Sequence, residues 1–397
     1  MKNYSSKLLP IILLSSFFGL AGGVVGAIFE RVYVLEKDFN IPFMGEIDFL
    51  DSARDGSRLV ISNPKKVVVE QDTKILETAN SVKNNIVGIF KKLPVSPKTN
   101  ATGTVFNINN YYKIEEPLGQ GFIITGDGWM MTDFIPKDLR LTLAQNGETK
   151  SAAMVDYVAI TADRKIYEID NIVMENEESL YSFWHMKASG LPVKEFVSYP
   201  DINNGQGVVV LNWNQDALFT SILRKESGNI HLVQSSDSFS DKIILSLAPS
   251  KNFGNGYILS LSGALVGFVD KNGQVDPIDN HKSLINSLLK FGKIERPVLG
   301  VNYIDLSKLA DASKKLPEKG ALIAKDDKGI AVVKNSPAES AGLREGDVIV
   351  SVNNVELDEN NSLNQIIASF LFGDEVNISY LRGTEKNTVT VKLSVGE

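Results

Sequence analysis

The sequence predicts a mainly β protein that is followed by a smaller α+β module and preceded by an apolar N-terminal helix. Between about Asn85 and Asn280 the apolar runs are short and rich in Val, Ile, Phe and Tyr. Turn-forming residues such as Gly126-Asp127-Gly128 separate these runs, as is typical of strands joined by tight turns. After Gly292 the pattern changes to strands that alternate with two short helices.

The composition is that of an ordinary globular protein and excludes several functions. The chain has 397 residues, 43% of them hydrophobic and 22% charged, which is enough for two or three domains. The 41 basic and 48 acidic residues are spread along the sequence without a basic stripe, so no nucleic-acid partner is expected. The chain has no cysteine and only three scattered histidines, so we expect neither a metal nor another cofactor.

The N-terminal segment predicts a membrane anchor. The run from Leu8 to Phe29 has 22 residues without a charge, and as a helix it would cross a hydrocarbon core of about 30 Å. Lys2 and Lys7 lie in a short tail, residues 1–7, and the positive-inside rule places this tail in the cytoplasm. A cleaved signal peptide is the alternative, although the run exceeds the usual apolar core of roughly 7–15 residues. We therefore expect a single-pass cell-membrane protein whose C-terminal domains are extracytoplasmic.

The remaining chain divides into a spacer and two domains. Residues 30–70 lack sustained periodicity, as in a spacer. Helical spacing begins after Asp72, a candidate N-cap, so one helix is expected to lead into the β-rich domain, residues 71–292. The last helix of that domain should end at Gly292. The α+β module then covers residues 293–397.

The order of elements in the final module can be read from its capping residues and alternating runs. Ser336 followed by Pro337 predicts the start of a first short helix, and Ser362 predicts the cap of a second. Two alternating strands, Glu375 to Arg382 and Asn387 to Ser394, are expected to close the chain.

Three motifs of the final module resemble the PDZ domain that follows HtrA-type proteases. They are Arg296-Pro297-Val298-Leu299-Gly300-Val301, Val333-Lys334-Asn335-Ser336-Pro337-Ala338 and Ala341-Gly342-Leu343-Arg344-Glu345-Gly346-Asp347-Val348-Ile349. The resemblance covers residues 296–397 and implies a groove that binds the C-termini of proteins or peptides.

The resemblance also implies which residues form this groove. The carboxylate-binding loop and the strand after it would contain Val298, Leu299, Gly300 and Val301. The opposite helix would present Leu363, Ile366, Ile367 and Phe370. The alternative is that these aliphatic residues fill the domain core, and this must hold for some of them because the last four span more than one helical face.

The region before this module resembles the double β-barrel of the trypsin-like HtrA proteases. The motifs are Gly119-Gln120-Gly121-Phe122-Ile123-Ile124, Asp127-Gly128-Trp129-Met130-Met131-Thr132, Ala188-Ser189-Gly190-Leu191-Pro192-Val193 and Gly263-Ala264-Leu265-Val266-Gly267. With the N-terminal anchor, the order of parts resembles the DegS-like, membrane-tethered members. The resemblance covers roughly residues 65–397, aligns poorly over 137–178, and makes a homotrimer the expected assembly.

The positions at which this resemblance implies a catalytic triad hold residues that cannot catalyse. A triad needs a Ser hydroxyl, a His base and an Asp that orients the imidazole. The His position, three residues after the family's Thr, is Ile135, and the Asp position is Leu180. The Ser position is Gly254, or Gly256 if the loop is gapped differently. None of His185, His231 and His281 lies where the base is needed, and we expect structural roles for all three.

The sequence therefore favours a non-enzymatic binding protein. It would be a pseudoprotease on a membrane tether that binds peptide C-termini and acts in protein quality control or in the regulation of partner proteases. The alternative is an active HtrA-type serine endopeptidase with a misaligned or unconventional site. A structural envelope protein with a defunct groove is the third possibility. Labelling with a serine-reactive fluorophosphonate would discriminate the first two.

Overall fold

The chain forms two compact units, residues 1–70 and 71–397. The computed structural model describes residues 15–20, 22–24, 39–41, 45–47, 71–94, 108–137, 156–176, 179–226, 232–238, 241–250, 253, 256–270, 273–310 and 316–395. In the first unit, residues 15–20 and 22–24 are helical, and strands β1 (Phe39–Ile41) and β2 (Gly45–Ile47) pair in antiparallel fashion. Much of the predicted span Leu8 to Phe29 lies outside these ranges. Within them, no helix is both long enough and apolar enough to cross a membrane.

The second unit begins with helix α1 (Gln71–Val82). Asp72 lies in the first turn of this helix and does not precede it, so the predicted N-cap is wrong, although an acidic residue there still favours the helix dipole. The Thr78 hydroxyl donates to the Leu261 carbonyl at 2.9 Å and thereby attaches the helix to the second barrel.

The first barrel is closed by six antiparallel strands in the order β3-β4-β5-β8-β7-β6. Its strands are β3 (Ile86–Lys91), β4 (Gly119–Ile123), β5 (Trp129–Thr132), β6 (Tyr157–Thr161), β7 (Ile166–Val173) and β8 (Ser182–Met186). In β3, Val87 and Ile89 point into the barrel, whereas Ile86 and Phe90 join the core between the two barrels. Side chains alternate along a strand, so burial on both faces explains the continuous apolar run.

The second barrel also has six strands, in the order β10-β12-β15-β14-β13-β9. They are β9 (Gly207–Leu211), β10 (Ala217–Glu226), β12 (Lys242–Leu245), β13 (Tyr257–Ser260), β14 (Leu265–Val269) and β15 (Val275–Pro277). Strand β11 (Val233–Ser235) lies between β10 and β12 in the sequence but belongs to neither barrel.

Helix α2 (Lys282–Phe291) follows the second barrel and ends as predicted. Gly292 adopts a left-handed conformation, with φ of 67°, and its N–H donates to the Leu288 carbonyl. Leu284, Ile285 and Leu288 pack into the core between the barrels.

The last module is built on a sheet of order β11-β17-β18-β19-β21-β22, with β20 beside β19 and a separate pair β16-β23. Its own strands are β16 (Pro297–Val298), β17 (Asn302–Asp305), β18 (Ala321–Ile323), β19 (Val348–Val352), β20 (Val355–Glu356), β21 (Glu375–Arg382), β22 (Glu385–Lys392) and β23 (Ser394–Val395). Its helices are α3 (Pro337–Ser340) and α4 (Leu363–Ala368). The predicted caps Ser336 and Ser362 are confirmed: the Ser336 side chain accepts the Glu339 N–H, and Ser362 is the N-cap of α4, where its N–H donates to the Gln365 side chain in a capping box. The mainly β fold with a final α+β module is thus confirmed.

Candidate functional site

The three triad positions offer no catalytic side chain in the described residues. Ile135 follows β5 and packs against the interior of the first barrel, and Leu180 precedes β8 as an exposed residue with 63% of its surface accessible. Gly254 lies outside the described residues. The other candidate, Gly256, is buried directly before β13, where an added Cβ would lie 2.8 Å from a methyl carbon of Val210. Neither an aliphatic side chain nor a glycine supplies a base or a nucleophile.

The two described histidines have carboxylate partners but no hydroxyl partner. His185 Nδ1 lies 2.6 Å from Asp170 Oδ1, and its ring packs on Trp129. His281 Nε2 lies 3.1 Å from Asp276 Oδ2. Across the part of the chain that the structure describes, neither imidazole hydrogen-bonds a Ser or Thr hydroxyl, as a Ser-His pair requires. His231 lies outside the described residues.

Aromatic side chains fill the space between the barrels beside these positions. The ring centroid of Tyr181 lies 5.1 Å from that of Phe268 and 4.8 Å from that of His281, and the Tyr257 ring also packs on Phe268. Burial raises the pKa of the Tyr181 hydroxyl well above its ordinary value, so this group stays protonated. The aromatic rings of this cluster thus pack the core between the two barrels.

The candidate binding site is the loop between β16 and β17, where three consecutive backbone N–H groups converge. The N–H groups of Leu299 and Gly300 donate to the two carboxylate oxygens of Asp237 at 2.9 and 3.0 Å, and the N–H of Val301 donates to Ser236 Oγ at 3.1 Å. Gly300 has φ of 86°, a left-handed conformation that glycine adopts without strain. Such a nest of N–H groups is an anion-binding element.

The carboxylate in this loop belongs to a segment of the barrel domain. We call residues 232–238, which include β11, the docking segment. Its strand β11 pairs with β17 in antiparallel register, Val233 opposite Ile304 and Ser235 opposite Asn302. The Ser236 N–H also donates to the Val301 carbonyl at 2.9 Å. Burial raises the pKa of Asp237, and the donors from Leu299, Ser236 and Gly300 act against that rise.

The opposite wall of the groove is the polar face of α4. Asn364 Nδ2 donates to the Ser238 carbonyl at 3.1 Å, and Gln365 Nε2 donates to Asp241 Oδ2 at 2.8 Å. The Tyr303 hydroxyl lies between the two walls and contacts both Gln234 and Asn364. The groove around the docking segment is therefore lined by amides and a phenol.

The structure divides the predicted groove residues into two groups. Val298, Leu299, Gly300 and Val301 form the loop, where the last three contribute backbone N–H groups while the side chains of Leu299 and Val301 are buried. Leu363, Ile366 and Ile367 are buried in the core of the module, and Phe370 packs against that core beyond the end of α4.

Four residues of this site were not predicted: Ser236, Asp237, Asn364 and Gln365. The two amides follow the Ser362 cap on the polar side of an amphipathic helix, so the helical pattern contained a signal for them. Asp237 lies in a polar stretch that looks like any surface loop. Its partners are 62 and 63 residues away in sequence, and no local pattern indicates that pairing.

The comparisons with known proteins agree with this architecture. A family model described as PDZ domain matches residues 297–393. "Serine protease Do-like HtrA" of Lactococcus lactis subsp. lactis is 27% identical over 238 residues, which is 53% of this chain and 57% of the relative. "Serine protease Do-like HtrB" of Bacillus subtilis is 27% identical over 270 residues, 63% of this chain and 55% of the relative. The chain spans about half the length of the curated relatives it matches.

Solved structures include one described as "HtrA-type protease AlgW with tripeptide", which is 18% identical and has a TM-score of 0.49. It covers 81% of this chain and 97% of that chain. The two barrels observed here, the family match over 297–393 and the sequence relatives confirm the resemblance found in the motifs. The chain therefore consists of two six-stranded barrels followed by a C-terminal PDZ domain, and it is similar in sequence to HtrA-type serine proteases.

Proposed function

We propose that this protein is a membrane-anchored, extracytoplasmic pseudoprotease whose PDZ domain binds the C-termini of other proteins. The observation that carries the proposal is the nest formed by Leu299, Gly300 and Val301, which holds a carboxylate beside strand β17. A peptide C-terminus offers the same chemical group at the end of a chain that can add as a strand.

The residues at the triad positions support the non-enzymatic part of the proposal. Ile135 and Leu180 cannot transfer a proton or orient a base, and Gly254 has no side chain. Loss of a whole triad leaves only about 10³–10⁴-fold acceleration over water, far below useful proteolysis. Binding without cleavage suits a role in protein quality control or in regulating partner proteases.

The location and assembly belong to the same proposal. The uncharged run Leu8 to Phe29 and the preceding Lys2 and Lys7 support a single anchor with the barrels outside the membrane. A homotrimer through the barrel domain is the assembly that we propose by analogy with HtrA relatives.

Two measurements on the full chain test this function. A labelled peptide ending in valine should bind at least about tenfold more tightly as the free acid than as the C-terminal amide, because only the acid presents a carboxylate to the nest. A serine-reactive fluorophosphonate should leave the protein unlabelled. Equal affinity for the free-acid and amide peptides would contradict recognition of C-termini. Labelling of the protein that a single Ser→Ala change abolishes would show that the protein is an active endopeptidase instead.

A further inference from the structure

The PDZ groove of this chain already holds a strand that belongs to the same chain. Without β11, strand β17 would be the edge of its sheet, with a row of unpaired backbone groups available to a peptide. Strand β11 occupies that edge over Val233, Gln234 and Ser235. The strand position that a peptide ligand needs is therefore filled from within.

The carboxylate position is filled in the same way. The two oxygens of Asp237 accept the N–H groups of Leu299 and Gly300, so a side chain supplies what a chain terminus would supply. Ser236 satisfies the third donor, the N–H of Val301. A free C-terminus can engage these donors only after Asp237 has left them, because each N–H makes one strong hydrogen bond.

The docking segment is covalently tied to the second barrel. It lies between β10 and β12, which are neighbouring strands of that barrel, with Ile222 opposite Leu245 and Glu226 opposite Lys242. Asp241, the residue before β12, is itself hydrogen-bonded to Gln365 of α4. The docking segment is thus joined along the chain to two neighbouring strands of the second barrel.

We propose that the docking segment is an internal pseudo-ligand, with Asp237 in the place of a terminal carboxylate, which keeps the groove closed until an external peptide C-terminus displaces it. This inference rests on the proposed function of the groove. The apparent affinity for a peptide is then the intrinsic affinity of the open groove multiplied by the fraction of molecules in which the groove is open. Release of the segment couples peptide binding to the second barrel.

The first test frees the groove. Asp237→Ala in the full chain removes the charge-assisted bonds to the nest, so the valine-ending free-acid peptide should bind roughly tenfold or more tightly than it binds the unaltered protein. Asp156→Ala, which removes an exposed carboxylate from the first barrel, is the matched control and should leave the affinity unchanged. Equal affinities for the Asp237→Ala and unaltered proteins overturn the inference and leave the proposed function standing.

The second test locks the groove in a folded protein. Val233 and Ile304 are directly opposed, so their Cα atoms lie about 4.5–5.5 Å apart, within the range of a disulfide. The chain has no cysteine, so the double variant Val233→Cys with Ile304→Cys forms one defined bond. The oxidised form should lose at least tenfold in affinity for the free-acid peptide, and reduction should restore it. Equal affinity of the oxidised and reduced forms for the peptide overturns the inference. If the peptide binds neither the reduced form, nor the Asp237→Ala protein, nor the unaltered protein, the proposed function is wrong as well.

Discussion

At the scale of single residues, two positions decide the chemistry of this molecule. Gly300 allows the backbone of the loop to turn so that the N–H groups of Leu299 and Gly300 donate to the Asp237 carboxylate and the N–H of Val301 donates to Ser236 Oγ. Asp276, in strand β15 of the second barrel, contacts a buried histidine, a lysine and an asparagine. The role of each residue leads to a prediction that a single substitution tests.

Gly300→Ala should abolish carboxylate recognition. The left-handed backbone costs a non-glycine residue about 1–2 kcal/mol, and the added methyl group would overlap the side chain of Ser336. We expect loss of free-acid peptide binding together with lower thermal stability. Gly329→Ala is the matched control, because Gly329 also has a positive φ, of 80°, but has nothing within 4 Å of its added Cβ. Unchanged peptide affinity in Gly300→Ala would show that the nest is not the receptor.

Asp276 should control the acid stability of the second barrel. Burial alone would raise the pKa of its carboxyl, yet His281 and Lys242 beside it hold that pKa below its ordinary value. Its stabilising effect is therefore fully present above about pH 4 and is lost as the pH falls through the lowered pKa.

Asp276→Asn should lower the free energy of unfolding at pH 7 by about 1–3 kcal/mol, because buried donors lose a charged acceptor. It should also flatten the decline in stability below pH 4. Urea denaturation at several pH values measures both effects, with the exposed Glu385→Gln as a control. An unchanged slope in acid would contradict this role of the carboxylate.

At the scale of secondary-structure elements, the sequence predicted what local patterns can encode. The Ser336 and Ser362 caps, the Gly292 helix end and the strand Glu375–Arg382 are all confirmed, since each depends on neighbouring residues. Strand β22 begins at Glu385, two residues before the predicted start, because the hairpin pairing with β21 continues to Arg382. Pairing of β11 with β17 was not predicted, because it joins distant parts of the chain whose polar residues carry no periodic signal.

Helix α4 also shows that local sequence patterns do not determine which residues face the groove. Its apolar residues were assigned to the groove by resemblance, but Leu363 and Ile367 are fully buried in the core of the module. The helix meets the docking segment through Asn364, and meets Asp241 through Gln365. The pattern identified an amphipathic helix, and only the packing shows which face meets the groove.

This arrangement predicts that Ile367→Ala acts on stability. Truncating a fully buried Ile should lower the free energy of unfolding by about 2–5 kcal/mol. The exposed Leu289→Ala on α2 should change it by no more than about 0.5 kcal/mol. Urea denaturation measures the free energy of unfolding of both variants. A small change in stability for Ile367→Ala, together with loss of peptide binding, would place Ile367 in the groove wall instead.

At the scale of the whole molecule, the PDZ domain is connected to both barrels at several points. Phe291 at the end of α2 packs on Phe372 with ring centroids 4.6 Å apart. The Arg296 guanidinium reaches the Asn280 carbonyl and Glu175. The docking segment adds the connection through which occupancy of the groove reaches strands β10 and β12.

The central claim is that a peptide C-terminus and the docking segment compete for one groove, and amide hydrogen exchange in the full chain tests it most directly. At saturating free-acid peptide, exchange at Val233, Gln234 and Ser235 should become faster, because these amides leave the sheet, while Leu299, Gly300 and Val301 remain protected by the peptide carboxylate. The C-terminal amide peptide should change neither region. Unchanged protection of Val233 to Ser235 at saturating free-acid peptide would contradict the account.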